Sequence, residues 1–196
     1  AIDRFTLKPL AAVYREVIPA FVRQGVYNFL NNLRAPVILF NDLLQGKVKR
    51  AGTTVARFVI NSTIGVGGVG DMAADLGFEH HDEDFGQTLA VWGIPEGPYT
   101  MLPLFGPSNP RDAIGLVVDY LIDPLNLWAS NTERDWIIYS RTGVRAVSER
   151  ARNFDAYEDM EKSSLDFYAA VRSLYRQRRA DEIGDGRGSA NAPVPG

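Results

Sequence analysis

Three short amphipathic segments, each opened by a proline, make up the N-terminal part of the chain. Proline fixes φ near the helical value and lacks an N–H, so it suits the first turn of a helix and disrupts a later one. Pro9 and Pro19 open segments with one apolar stripe each, and Pro36 opens a third that is apolar almost all round as far as Leu44. The pattern predicts three short helices. None approaches the roughly 18 consecutive apolar residues of a membrane-spanning helix.

The rest of the chain is predicted to be helical around an irregular, glycine- and proline-rich middle at residues 65–110. A helix over about 47–64 precedes this middle, a short helix over 85–92 lies within it, and helices over 110–122 and 132–150 follow, separated by a linker at 124–128. Ser163 and Asp166 are predicted to cap the last helix. We therefore expect an all-α domain over residues 1–183 with two longer C-terminal helices, and a disordered tail at 184–196.

Composition excludes several classes of function. The chain has 196 residues, 45% of them apolar, a net charge of −3 and no cysteine. Such a charge gives no general attraction for nucleic acid, and the lack of cysteine excludes disulfides and thiolate chemistry. A mean hydropathy of −0.14 is typical of a soluble or peripheral protein rather than of a multi-span membrane protein.

The segment 64–71, IGVGGVGD, has glycines at the spacing of a dinucleotide-binding fingerprint. That fingerprint requires a buried strand before the glycines and an acidic residue at the end of the next strand. Here the preceding residues have helical periodicity, and no such acidic strand follows. The pattern favours a glycine-rich helix exit, in which residues without a Cβ permit positive φ and close packing.

Two clusters of polar residues are candidates for chemistry. Glu79–Asp84 holds both histidines and four carboxylates, but adjacent histidines in an extended segment point to opposite sides, which favours a solvated loop with Asp84 as a helix cap over a metal site. Lys47, Lys49, Arg50 and Arg57 could form a basic site for lipid headgroups or an ordinary solvated face. No Gly-x-Ser-x-Gly elbow supports a hydrolase.

On the helix over 110–122, the apolar residues predict the buried face and the charged residues fall on the other side. The apolar set is Ile114, Val117, Val118, Leu121 and Ile122. Arg111, Asp112 and Asp119 either line a polar path or are a capping residue and a wet helix face.

The order of several short stretches resembles the MlaA (VacJ) family of outer-membrane lipoproteins over nearly all of the chain to about residue 183. The stretches are DRFTLKPL at 3–10, YNFLNNL at 27–33 with Pro36, NDLLQG at 41–46, RFVINSTIGVGG at 57–68, HDEDFGQTL at 81–89, WG at 92–93, GPY at 97–99, LP at 102–103 and 106–112. The resemblance implies a helical ring lying flat in the inner leaflet of the Gram-negative outer membrane, beside a trimeric porin. It implies transport of phospholipid from the outer leaflet, through a central amphipathic channel, to a soluble periplasmic carrier, with no enzyme activity, cofactor or metal. It also implies a lipid-modified cysteine and a first helix ahead of Ala1 in the full-length protein.

Given this resemblance, we expect several of the polar and glycine-rich residues to belong to the channel. We expect Arg111, Asp112 and Asp119 to line it, Phe85 and Gly86 to form a gate, and Gly65, Gly67, Gly68 and Gly70 to form a flexible path beside lipid. The alternative function is a helical periplasmic interaction or scaffold protein without a lipid path, and an enzyme acting on lipids ranks below it.

Overall fold

The structure is a computed structural model that describes residues 6–102, 106–164 and 166–185. Its elements in chain order are α1 (Lys8–Val17), α2 (Ala20–Leu44), α3 (Val48–Thr63), α4 (Met72–Asp75), α5 (Phe85–Val91), β1 (Thr100–Leu102), β2 (Gly106–Ser108), α6 (Pro110–Ile122), α7 (Pro124–Asn131), α8 (Asp135–Arg152), α9 (Phe154–Ser163) and α10 (Phe167–Ile183). The predicted mostly helical class is confirmed. Within the described residues the one sheet is the antiparallel pair β1–β2, in which Thr100 pairs with Ser108.

The predicted caps explain where two central helices begin. The Asp84 side chain accepts a hydrogen bond from the Gln87 N–H at the start of α5, at 2.9 Å. Asn109 accepts one from the Asp112 N–H at 2.8 Å, with Pro110 in the first turn of α6. Both helices therefore start at the residues that local chemistry dictates.

The prediction of a break at Pro36 is wrong, because α2 runs through this residue as a single helix. A proline inside a helix costs about 3 kcal/mol, since it removes one hydrogen bond and crowds the carbonyl of the residue four positions earlier. The residues around it, including Ala35, Val37 and Ile38, are buried. Packing of this stretch outweighs the local cost.

The predicted boundaries in the C-terminal half also change. Residues 124–128 are not a linker but the start of α7, which Pro124 opens. Thr132 does not cap α8: its hydroxyl donates to the Trp128 carbonyl and closes α7. Ser163 ends α9, a helix that the sequence pattern did not predict, and Asp166 alone caps α10.

The predicted tail falls mostly outside the described residues, which end at Asp185. Gly184 and Asp185 form a turn after α10. The Asp185 carboxylate accepts a hydrogen bond from Lys47 Nζ at 2.5 Å and also pairs with Arg50. The rest of the predicted tail, residues 186–196, lies outside the described residues.

Five helices close a circuit of contacts. Helix α2 packs against α8 and α5, α5 against α6, α6 against α7, and α7 against α8. Helix α3 lies along α2, α1 lies along α8, and α10 packs on α5 and β2. These contacts join α2, α5, α6, α7 and α8 in a closed ring.

Helix α6 is packed the opposite way to the prediction. Ile114 and Leu121 on its apolar face are each 57% exposed, whereas Arg111 and Asp112 are each 7% exposed. The predicted buried face is therefore the outer face, and the predicted wet face is the interior. The amphipathic pattern separated the apolar face of α6 from its polar face correctly. The prediction of which face is buried was wrong, because it assumed that the outer surface is in contact with water.

Exposed apolar and buried polar side chains also occur in other parts of the described structure. The largest fully buried side chains belong to Gln87, Glu83, Asn41, Asn109, Thr88 and Asp42. Large apolar side chains of α1, α2, α3, α5, α6, α7, α8 and α10 are exposed, among them Val13, Phe21, Val59, Trp92, Val117, Leu127, Trp136 and Phe167. Water-soluble proteins rarely bury their polar residues and expose such patches. Within the described residues, no helix combines the length and the apolarity needed to cross a membrane.

Candidate functional site

The interior contains a closed cluster of charged and polar side chains, formed by Asp84, Asp112, Tyr175 and Arg179, where α5, α6 and α10 meet. The Arg179 guanidinium donates to both Asp84 carboxylate oxygens, each at 2.6 Å, and its Nε lies 2.9 Å from Asp112 Oδ2. The Tyr175 hydroxyl donates to the same Asp112 oxygen at 2.5 Å. The cluster thus links the N-terminal turns of two helices to α10.

Electrostatics in the closed cluster favour charged carboxylates at Asp84 and Asp112 and a neutral hydroxyl at Tyr175. Burial alone would raise the pKa of Asp84 and of Asp112, but Arg179 holds both pKa values below their ordinary range. Burial, together with the hydrogen bond to Asp112, raises the pKa of Tyr175. Opposite charges that share a low-dielectric site stabilise each other, and removal of one leaves an uncompensated buried charge.

Close approach of α5 and α6 makes the closed cluster compact. A Cβ on Gly115 would lie 2.3 Å from the Gly86 N, and a Cβ on Gly86 would lie 2.5 Å from Arg179 Nη2. Neither position has room for a side chain. The two glycines therefore let the two helices and the guanidinium meet.

Asp119 joins three helices and forms no salt bridge within the described residues. It accepts a hydrogen bond from Asn41 Nδ2 at 3.0 Å and from the Phe85 N–H at 3.2 Å. Burial raises its pKa to about 6, the nearby Asp84 charge acts in the same direction, and the hydrogen bond from Asn41 opposes the shift.

A second polar region is open. The groove between α2 and α3, which we call the open cavity, has a volume of about 240 Å³. It is lined by Gln24, Tyr27, Asn28, Asn31, Asn32, Ala35, Ile38, Thr54, Arg57, Phe58, Asn61, Asp71, His80, His81 and Arg152. Amide, charged, aromatic and aliphatic side chains share its wall. Such a mixture suits an amphiphile better than a purely polar or a purely apolar ligand.

Charged groups in and near the open cavity are only partly enclosed. Arg57 Nη2 donates to both Asp71 oxygens at 2.8 Å. Arg34 Nη1 donates to Asp82 at 2.7 Å, although the Asp82 side chain is 45% exposed. Burial would raise the pKa of Asp82, but Arg34 and Arg145 hold this pKa below its ordinary value.

The histidine segment does not assemble a metal site. Within the described ranges, no group of three metal-ligating side chains comes together. His81 Nε2 lies 3.1 Å from Asp42 Oδ2, and Thr54 donates to the same oxygen at 2.7 Å. His81 therefore belongs to a polar contact between α2 and α3.

Three of the four bases of the predicted basic site, Lys47, Arg50 and Arg57, already form ion pairs with carboxylates of the protein. Lys47 and Arg50 both pair with the fully buried Glu83, at 3.1 and 3.3 Å. Burial raises the pKa of Glu83, against the opposing effect of its donors Gln45 and Lys47. Because Lys47 and Arg50 neutralise a buried carboxylate, they attract a lipid headgroup less strongly than unpaired bases would.

The predicted channel residues lie inside the molecule but do not line its open cavity. Arg111 donates to Asp112 at 3.0 Å and is buried with it beside the closed cluster. Asp119 lies at the junction of α2, α5 and α6. Neither the open cavity nor a second cavity near α9 and α10 is lined by these three residues.

The predicted gate lies at the start of α5. Phe85 is half-buried and packs edge to face against Trp92, with 5.9 Å between ring centroids. Gly86 is held in the helix crossing described above, so its missing side chain serves close packing rather than local flexibility. A gating role for this pair stays a prediction.

The predicted glycine path is a tight turn. α3 leads into it, and Val66, Gly67 and Gly68 have positive φ, as expected for a glycine-rich helix exit. The Gly68 N–H donates to the Asn61 carbonyl at 2.7 Å, and Gly70 donates to Gly65 at 2.8 Å. A Cβ on Gly68 would lie 2.5 Å from the Asn32 side chain. The backbone is thus satisfied within the turn, while Ile64, Val66 and Val69 are exposed.

The sequence analysis missed the residues that organise both polar regions. None of Arg179, Tyr175, Gln24, Asn28 and Arg152 was singled out from the sequence. One signal was available: Gln24, Asn28 and Asn32 recur at four-residue steps along α2, and so form a continuous amide stripe on one helix face. The partners on α8 and α10 are distant in sequence and carry no local signal.

The fold and its polar regions define a class of protein: helical, apolar outside and polar inside, without a spanning helix among the described residues. The chain matches the family described as MlaA lipoprotein over residues 1–182. It is 32% identical over 191 residues to the intermembrane phospholipid transport system lipoprotein MlaA of Haemophilus influenzae, covering 95% of this chain and 74% of that protein. The corresponding protein of Escherichia coli K12 is 30% identical, with 94% and 72% covered.

A solved structure reported as "Structural basis for maintenance of bacterial outer membrane lipid asymmetry" has the same fold. It superimposes with a TM-score of 0.80 at 30% identity, over 93% of this chain and 90% of that chain. An uncharacterised protein of Rickettsia prowazekii is 33% identical, covering 91% of this chain and 70% of its own length. The chain belongs to the MlaA lipoprotein family.

Proposed function

We propose that this protein transports phospholipid between membranes. It removes phospholipids from the outer leaflet of the Gram-negative outer membrane and passes them towards a soluble periplasmic carrier, which maintains lipid asymmetry. Family membership and the names of its relatives support phospholipid as the cargo. The observation that carries the proposal is the inverted packing, with large apolar side chains outside and polar side chains inside.

The apolar exterior suits a position in the inner leaflet of the outer membrane. An amphipathic helix lies in a leaflet with its apolar face buried about 5–10 Å deep. The exposed apolar faces of α2, α3 and α6 provide such surfaces. Trp92 after α5, Trp128 on α7 and Trp136 on α8 are also exposed. Tryptophan favours the boundary between headgroups and acyl chains. In the full-length protein a lipid anchor adds to this attachment, and a trimeric porin is the proposed neighbour.

The polar interior suits the passage of headgroups. A phospholipid headgroup loses favourable hydration when it leaves water, and hydrogen bonds from protein groups offset that cost. The open cavity offers amide and charged donors beside aliphatic side chains. Arg111, Asp112 and Asp119 remain proposed channel residues further inside, with Phe85 and Gly86 as the proposed gate.

Deletion of the gene in its own host tests the function. Loss of the protein is expected to increase phospholipid in the outer leaflet, measured by surface labelling of phosphatidylethanolamine in intact cells. Unchanged surface phospholipid would contradict transport. Gentle detergent extraction distinguishes the scaffold alternative, because a transporter is expected to co-purify with phospholipid and a scaffold without a lipid path is not.

The gate has a test of its own. Phe85→Asn removes the ring that packs on Trp92, and we expect it to change lipid flux at an unchanged protein level. Unaltered flux would remove the gate from the proposal and leave transport intact.

A further inference from the structure

Arg152 lies at the open cavity with a charge that no carboxylate neutralises within the described part of the chain. Its guanidinium donates to Gln24 Oε1 at 2.9 Å and lies 4.0 Å from the centre of the Tyr27 ring. The other arginine of the cavity, Arg57, is bound by Asp71 through both carboxylate oxygens. Arg152 is thus a cation available to a ligand, whereas Arg57 is engaged by the protein.

A directed chain of hydrogen bonds fixes the position of Arg152. Asn28 Nδ2 donates to the Val69 carbonyl at 3.0 Å, and Asn28 Oδ1 accepts from Gln24 Nε2 at 2.8 Å. The Val69 carbonyl can only accept, so the orientation of both amides is determined. Gln24 Oε1 therefore points to the guanidinium. This series of hydrogen bonds connects the glycine turn, α2 and the end of α8.

Stacking leaves the donors of the guanidinium free at its edge. A planar guanidinium over an aromatic ring keeps its N–H groups in its own plane, where they match the oxygens of a phosphate. One of these N–H groups donates a hydrogen bond to Gln24. The same cavity is lined by Asn31, whose amide makes no hydrogen bond within the described ranges, and by Ile38 and Phe58, which provide apolar surface.

We propose that Arg152, positioned by Gln24, Asn28 and Tyr27, binds the phosphate of a phospholipid headgroup at the open cavity, with Asn31 as an additional donor. The inference rests on the proposed transport function and assigns a residue to it. The apolar surface of the same cavity distinguishes a phospholipid from free phosphate, because acyl chains gain from contact with Ile38 and Phe58 and an inorganic ion does not.

Native mass spectrometry of the protein in a phosphate-free maltoside detergent measures this binding. The probes are dihexanoyl phosphatidylglycerol, dihexanoylglycerol, which lacks the phosphate, and inorganic phosphate. Charge-assisted hydrogen bonds are the strong ones, so Arg152→Gln is expected to weaken phosphatidylglycerol binding about tenfold or more and to leave dihexanoylglycerol binding unchanged. Gln24→Leu is expected to weaken it less, since the charge remains. Arg134→Gln is the matched control, because Arg134 also stacks on a ring, that of Trp128, but outside the cavity.

Each result is decisive. Equal phosphatidylglycerol binding by the wild type and by folded Arg152→Gln would overturn the assignment and leave transport standing. If inorganic phosphate binds as tightly as phosphatidylglycerol, the ligand of this site is a free anion and not a lipid headgroup. No binding of phosphatidylglycerol by the wild type would count against the transport function itself.

Discussion

The closed cluster and the open cavity are both polar and both interior, yet they are built differently. In the closed cluster each carboxylate meets Arg179, and the helices approach so closely that Gly86 and Gly115 have no room for a Cβ. In the open cavity, by contrast, the partners of Arg152 within the described residues are the amide of Gln24 and the ring of Tyr27, and no carboxylate is among them. A polar interior in this protein therefore has two uses: one region holds the helices together, and the other has binding capacity left for a ligand.

Removal of Arg179 should have the largest effect on stability. Arg179→Gln removes the ion-pair partner of Asp84 and leaves Asp112 with Arg111 alone, which is expected to lower the free energy of unfolding by about 3–5 kcal/mol. Thermal unfolding in detergent, followed by circular dichroism, measures the loss. Arg172→Gln on the exposed side of α10 is the control and is expected to change stability by about 0.5 kcal/mol or less. A loss no larger than that of the control would show that the cluster does not hold the helices together.

Asp119 predicts a pH dependence that distinguishes it from the closed cluster. Its folded pKa of about 6 lies above the ordinary aspartate value, so its contribution to stability is present below about pH 4 and is lost as the pH rises through 6. The difference corresponds to roughly 3 kcal/mol. Asp119→Asn cannot ionise, so relative to the wild type it should gain about this amount between pH 4 and pH 7. Asp84 and Asp112 have low pKa values, so they change the stability only below pH 4. They do so equally in the wild type and in the variant, and their contribution cancels in the comparison. A constant difference between variant and wild type across this range would contradict the burial of Asp119.

The close helix crossing can be tested with two glycines. Gly115→Ala places a Cβ against the backbone of Gly86 and is expected to cost about 1–3 kcal/mol. Gly143→Ala in α8 has open space around it and is expected to stabilise the protein by up to about 1 kcal/mol. Chemical unfolding measures both variants. The same sign of effect for the two would show that α5 and α6 are less closely packed.

In the open cavity, by contrast, we expect the smallest effect on stability. Asn31→Leu changes one cavity side chain that makes no hydrogen bond within the described ranges, and should alter the free energy of unfolding by about 0.5 kcal/mol or less. It should nevertheless reduce phospholipid removal from the outer leaflet in complemented deletion cells. Normal lipid removal at a normal protein level would take Asn31 out of the binding surface.

Local chemistry made much of the helical fold predictable. Asp84 and Asn109 are strong N-caps, and they begin α5 and α6 where the sequence indicates. Pro36 shows the limit of such reasoning, because a local helix breaker was overridden by burial of the residues around it. The pairing of Asp84 with Arg179 connects residues 95 positions apart and has no local signature.

The orientation of the helices could not be predicted from amphipathicity alone. The pattern on α6 separates Ile114 and Leu121 from Arg111 and Asp112, but it does not say which side meets water. The resemblance to a membrane-associated family supplied the expectation of apolar faces directed outward, and the exposure of these residues agrees with it. Residues of the open cavity were missed because Gln24, Asn28 and Arg152 become a site only when α2 and α8 pack together.

Quenching of tryptophan fluorescence by brominated phospholipids tests the position of the protein in a leaflet most directly. Trp92, Trp128 and Trp136 are all exposed on the apolar exterior, and they are the only tryptophans of the chain. In vesicles, bromine close to the headgroup end of the acyl chains is expected to quench their fluorescence strongly, and bromine near the bilayer centre only weakly. Fluorescence that is insensitive to bromine at every depth would show that the apolar exterior does not contact lipid, and would contradict the account.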